Sequence, residues 1–166
     1  MIAFKRILCP TDLSEDSLKA LPYAIEFARS FDGEIVIIHV LRALPAPETD
    51  FGFGAAELLE LASRMRQEAE QSLERLLKGR VPDGIKVRKV LVQGNAADEI
   101  LRAANEYDVD LITIATHGLT GWRHFSFGSV AEKVVRMAKV PVLTISTKVL
   151  SPEADEMYAT PLSIPS

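Results

Sequence analysis

A single cysteine in 166 residues, Cys9, excludes an internal disulfide framework and suits a reducing compartment. It lies inside an apolar run, which reads as a small buried residue rather than a reactive thiol. No apolar run is long enough to cross a bilayer. The first ten residues lack the long apolar core and small-residue cleavage site of a signal peptide, so a cytoplasmic location is expected. There is no basic surplus: 19 Lys and Arg face 23 Asp and Glu, for a net charge of -4. A general nucleic-acid binder needs the opposite balance to neutralise phosphates. Also missing are the pattern G-x-x-x-x-G-K-[ST], the dinucleotide fingerprint G-x-G-x-x-G, any Cys/His metal spacing and any recognisable pair of catalytic carboxylates. The third predicted strand ends at Gln93 rather than at an acid, which argues against a phospho-acceptor role.

What is present is an ordinary globular balance, 48% hydrophobic and 25% charged, at a length that suits one domain. Ile7-Leu8-Cys9 reads as a short buried strand. Ser14 is placed to cap a helix, with Glu15 and Asp16 in its first turn and Leu18, Leu21, Ile25 and Ala28 at helical spacing; Pro22 should bend that helix. After Asp32-Gly33, the β-branched run within 34–41 suits a strand covered on both faces. Residues 42–54 read as a loop, 55–78 as a long amphipathic helix stopped by Gly79, and 85–92 as a strand nearer the sheet edge. Asn95 can cap a helix running to about Tyr107. Residues 111–115 form a fourth strand, 129–138 a last helix, and 142–146 a fifth strand. The domain is expected to span residues 1–147, followed by a tail, 148–166, that is flexible or docked on a partner. Strands alternating with helices imply an open, twisted, five-stranded parallel sheet with helices on both faces. The order 3-2-1-4-5 is predicted, because it brings the polar loops after the first and fourth strands to one crevice where the winding reverses.

Those two loops carry the chemistry. Pro10-Thr11-Asp12 follows the first strand. Asp12 can accept hydrogen bonds from a ribose diol, or cap the following helix, or do both. Pro10, Thr11 and Val40 can wall a base, although Val40 also fits plain core. After Ala115, the fourth strand enters Thr116-His117-Gly118-Leu119-Thr120-Gly121, and Gly128-Ser129 opens the last helix at Val130. One reading is two turns and an N-cap at Ser129. The other is an amide cradle for phosphate at a helix N-terminus. Arg123 and His124 can pair with phosphate oxygens or stay solvated; His117 and His39 read as hydrogen-bonded bystanders, His39 in the core. Trp122, Phe125 and Phe127 read as packing.

On these residues the chain resembles the universal stress protein family over about 5–146. The matching pieces are the run from Lys5 to Asp12 with Ser14, Ile38-His39-Val40, Val92-Gln93-Gly94, Ala115-Thr116-His117-Gly118 with Gly128-Ser129, and Pro141-Val142-Leu143. ATP-binding members carry G-x2-G-x9-G-[ST]; here Gly118, Gly128 and Ser129 match, and Ala115 replaces the first glycine. The resemblance implies a Rossmann-like fold of the adenine nucleotide alpha-hydrolase kind and a homodimer through the last strand, 142–146. It also implies an ATP site: adenine near Pro10 and Val40, ribose near Asp12, and phosphates on Gly118, Gly128, Ser129 and Val130, with magnesium or manganese on the phosphates. Thr11, Ala115, Thr116, His117, Gly121 and Arg123 complete the candidate set. The function so implied is an ATP-binding regulatory module in a stress response. The alternatives are a nucleotide-free dimeric scaffold and a slow ATPase or phosphotransferase using His117 or Asp12.

Overall fold

A computed structural model describes residues 3–44, 54–116 and 128–146. Five strands form one sheet: β1 (Arg6–Pro10), β2 (Glu34–Leu41), β3 (Lys86–Gln93), β4 (Leu111–Ala115) and β5 (Val142–Ile145). Every ladder is parallel and the order is β3-β2-β1-β4-β5, as the loop argument predicted. Four helices connect them: α1 (Leu21–Phe31), α2 (Ala55–Leu77), α3 (Ala96–Glu106) and α4 (Ser129–Met137). The loop predicted over 45–53 and the predicted tail, 148–166, lie outside the described residues.

The strands alternate between two cores because successive side chains point to opposite faces. Ile7, Cys9, Ile35, Ile37 and Leu111 pack under α1 and α2 with Leu18, Leu21, Ile25, Ala28 and Leu73. Leu8, Val36, Ile38, Ile112 and Ile114 pack under α3 and α4 with Ile100, Ala103 and Val134. Burial on both faces explains the unbroken apolar runs of β1, β2 and β4. At the base of the sheet, one Oδ of Asp110 accepts the Lys5 and Arg6 amides at 2.9 and 2.8 Å, and the Asp110 amide donates to the Arg6 carbonyl. This ties the start of β4 to the start of β1 and sets the register of the central pair.

Two edges remain. β3 carries Lys86, Arg88 and Lys89, and charge on an edge strand discourages unwanted pairing. β5 has no charged residue between Val142 and Ile145.

The main departure is between β1 and α1. α1 starts only at Leu21, and Pro22 sits in its first turn, where its missing amide hydrogen has no intrahelical partner to lose; it begins the helix instead of bending one. Ser14 is not the N-cap of a helix: its Oγ accepts the Ser17 amide at 3.1 Å within the turn that leads into a one-turn 3-10 segment, Ser17–Ala20, whose cap residue is Asp16. At the other end of α1, Asp32 takes the left-handed conformation (φ 48°). Asn95 caps α3 as expected, its Oδ1 accepting the Asp98 amide.

Cys9 is buried, and burial pushes its thiol up to about 11. The nearby Thr113 hydroxyl, itself buried and without a hydrogen-bond partner among the described residues, acts in the opposite direction and is outweighed by burial. The thiol is therefore protonated at neutral pH and acts as a small hydrophobe.

Candidate functional site

In a sheet of this order the winding reverses between β1 and β4, because β1 is followed on one side by β2 and on the other by β4. A cleft lies at that place, on the carboxyl rim. Its empty space, part of it continuous with solvent at the open mouth, is about 680 Å³. Pro10, Thr11 and Asp12 come from the end of β1, Ile38 and Val40 from β2, and Ile114, Ala115 and Thr116 from β4. Gly128, Ser129, Val130 and Ala131 close it from the start of α4, and Ala96 and Ile100 from α3.

The lining is apolar where β2 and α3 contribute and polar at Thr11, Asp12, Ser17, Thr116 and Ser129. Asp12 folds back on its own loop: its Oδ1 accepts the Ser14 amide at 3.0 Å and the Ser14 hydroxyl at 2.5 Å. Asp12 therefore closes a local turn rather than capping a helix, and it lines the cleft. The cleft is lined as well by the start of α4. Gly128 is its N-cap residue and Ser129 is already helical, so Ser129 is not the cap. The Gly128 amide donates to the Thr116 carbonyl at 2.6 Å. Its hydrogen is therefore engaged, and the amides placed to meet an anion are those of Ser129, Val130 and Ala131, which no described group caps. The helix dipole adds positive potential there.

His39 is held as expected of a satisfied histidine. Its Nδ1–H donates to the Thr11 carbonyl at 2.9 Å; a carbonyl can only accept, so the proton is on Nδ1. Val40 proves to be both core and wall: it packs on the α3 and α4 core and lines the cleft.

Of the predicted site residues, Pro10, Thr11, Asp12, Val40, Ala115, Thr116, Gly128, Ser129 and Val130 all meet at this one cleft. His117, Gly118, Gly121 and Arg123 lie outside the described residues, as do His124, Trp122, Phe125 and Phe127. Sequence reasoning missed Ser17, Ile38, Ala96, Ile100, Ile114 and Ala131, which also line it. Ile100 was visible only as an apolar residue at helical spacing, and Ser17 only as a hydroxyl in a polar turn. Neither pattern says that the residue faces a cleft.

Residues 3–146 match the model of the universal stress protein family. The chain belongs to that family. Universal stress protein MJ0531 of Methanocaldococcus jannaschii is 35% identical over 143 residues, which cover 86% of this chain and 82% of its own length. Universal stress protein MJ0577 of the same organism is 30% identical over 158 residues, covering 89% and 98%. Its solved structure overlays with a TM-score of 0.75, covering 89% of this chain and 99% of that one. A universal stress protein from Archaeoglobus fulgidus, solved in complex with dAMP, is 23% identical with a TM-score of 0.52, covering 87% and 99%; that likeness shows the fold alone.

Proposed function

We propose that this universal stress protein is an ATP-binding regulatory module that works as a homodimer in a stress response. The observation that carries the reading is the cleft at the reversal of the sheet, lined by Asp12 and by the start of α4, whose first amides no described group caps. The residues present suit an adenine nucleotide. Pro10, Ile38, Val40 and Ile100 supply apolar surface for a base, Asp12 supplies acceptors for ribose hydroxyls, and the start of α4 supplies donors and positive potential for phosphate. A divalent cation such as magnesium or manganese would bind through the phosphate oxygens and screen their charge. The dAMP complex of the Archaeoglobus fulgidus protein lends support from a chain of the same fold. Recognition rather than turnover is the proposed role, in the cytoplasm, with residues 1–147 as the binding domain and 148–166 as a partner-docking tail. Among the described residues no helix is long and apolar enough to cross a membrane.

Titration with ATP and magnesium tests the reading. A ligand at a hundred times its dissociation constant stabilises by about 2.7 kcal/mol, which for a chain of this size raises Tm by roughly 5–10 °C. No shift at millimolar ATP would reject it. The second reading, a nucleotide-free scaffold, draws on Ala115, whose methyl stands at the cleft where the family's ATP pattern has glycine; an unchanged Tm is its expectation.

The dimer is proposed through β5. The Ile112 amide donates to Pro141 and the Thr116 amide to Ile145, so 141, 143 and 145 turn their polar groups to β4. Val142 and Thr144 therefore turn theirs outward, to the open edge. Light scattering is expected to give twice the chain mass. Thr144→Pro, which removes an outward donor and no β4 bond, is expected to give the monomer mass with an unchanged circular dichroism spectrum. A wild-type monomer would count against the dimer.

A further inference from the structure

The loop from Thr11 to Ser17 is held in a strained shape by buried hydroxyls. Leu13 has φ 68°, a left-handed conformation that is costly for a residue with a side chain. Its amide donates to Thr11 Oγ1 at 3.0 Å. Thr11 and Ser17 are only 6% and 7% exposed, so their hydroxyls must find partners inside the protein. The Ser17 hydroxyl donates to the Ser14 carbonyl at 2.8 Å. That uses its one proton, so the 2.8 Å contact between Ser17 Oγ and Thr11 Oγ1 is donated by Thr11. The relay runs from Thr11 through Ser17 to Ser14, and Ser14 holds Asp12 Oδ1 with both its amide and its hydroxyl. The start of the relay is anchored to β2, where Ile38 accepts the Thr11 amide and His39 donates to the Thr11 carbonyl.

We propose that Ser17, through Thr11 and Ser14, is a positioning residue that fixes the Asp12 carboxylate in advance for a vicinal diol. The inference rests on the nucleotide reading above and names how that site selects a ribose with both hydroxyls. The left-handed turn at Leu13 sets Asp12 in the cleft lining, and the hydroxyl relay offsets the cost of that turn. A carboxylate held this way loses little freedom on binding, which is how preorganisation raises affinity.

Calorimetric titration of the full chain with ATP and with 2′,3′-dideoxy-ATP, each with magnesium, tests this. The two ligands share base and phosphates and differ only in the diol. Wild type is expected to favour ATP by about 10- to 100-fold, as hydrogen bonds to a charged group allow. Ser17→Ala is expected to weaken ATP about tenfold while changing dideoxy-ATP less than about twofold. In an Asp12→Asn background, where the preference is already lost, Ser17→Ala should change the ratio of the two affinities no further. A general loosening of the fold would lower both affinities equally, and that result would overturn the positioning role. Wild-type binding without preference for the diol would also overturn it, leaving the nucleotide reading intact. Binding of neither ligand by wild type would remove both. Should Ser17→Ala fail to fold, Thr11→Val cuts the same relay from its other end and is read by the same ratio.

Discussion

Leu73→Ala is expected to destabilise the protein by about 4 kcal/mol, near the upper part of the range for a buried leucine. α2 is 23 residues long, yet only Ala69 and Leu73 among its described side chains are buried, and Leu73 is wholly so. It packs into the core under α1 with Ile35, Ile37 and the partly buried Leu76, Leu77, Val81 and Val87. Truncation therefore loses the transfer energy of three carbons, leaves a cavity and removes the main anchor of a whole helix. The measurement is the urea midpoint, with amide exchange along α2 as a local readout. Leu59, on the same helix but 73% exposed, is the control, and its alanine variant should fall within about 0.5 kcal/mol of wild type. Equal effects at the two positions would show that α2 is not docked as described.

Gly33→Ala is expected to cost about 3 kcal/mol, a fall in Tm of roughly 6–12 °C. A Cβ on Gly33 would stand 2.7 Å from the Lys5 carbonyl oxygen and 2.9 Å from that of Phe4. Both are backbone atoms, so no side chain can swing away. The Glu34 amide donates to that same Lys5 carbonyl at 2.7 Å, opening the β1/β2 ladder. Phe4 is fixed in turn by edge-to-face contacts with Phe27 and Phe31, ring centres 5.5 Å apart in each pair. Gly84 supplies the contrast: it has φ +88° with nothing within 4 Å of an added Cβ, so alanine there meets backbone strain alone, about 1 kcal/mol. Calorimetric melting of the two variants separates the causes. A Gly33→Ala protein that melts like wild type would show that the strands do not approach this closely.

The two glycines after helices illustrate how far a one-dimensional pattern reaches. Gly79 stops α2 with φ +76°, the role a glycine past a helix end usually has. Gly33 stands in a similar place, yet Asp32 makes the left-handed turn and Gly33 serves the close approach of β1. A glycine signal cannot distinguish conformational freedom from lack of room, because the second depends on the backbone of Phe4 and Lys5, far away in the sequence. Pro22 shows the same limit. Its helical surroundings were correctly read, but whether it interrupts or begins a helix turned on the 3-10 segment before it, which the Thr11, Ser14 and Ser17 hydroxyls hold in place.

Local chemistry was enough for the alternation of strands and helices, the burial of β1, the cover of β2 on both faces, and the meeting of the Asp12 and Gly128 loops at one rim. Period, β-branching and loop polarity are properties of neighbouring residues, and an open parallel sheet has few ways to wind. Packing alone determined which donors remain for a ligand. It engaged the Gly128 amide with Thr116 and brought Ser17 and Ile100 to the cleft. Those outcomes depend on angles and distances between segments far apart in the chain, and no run of adjacent residues encodes them.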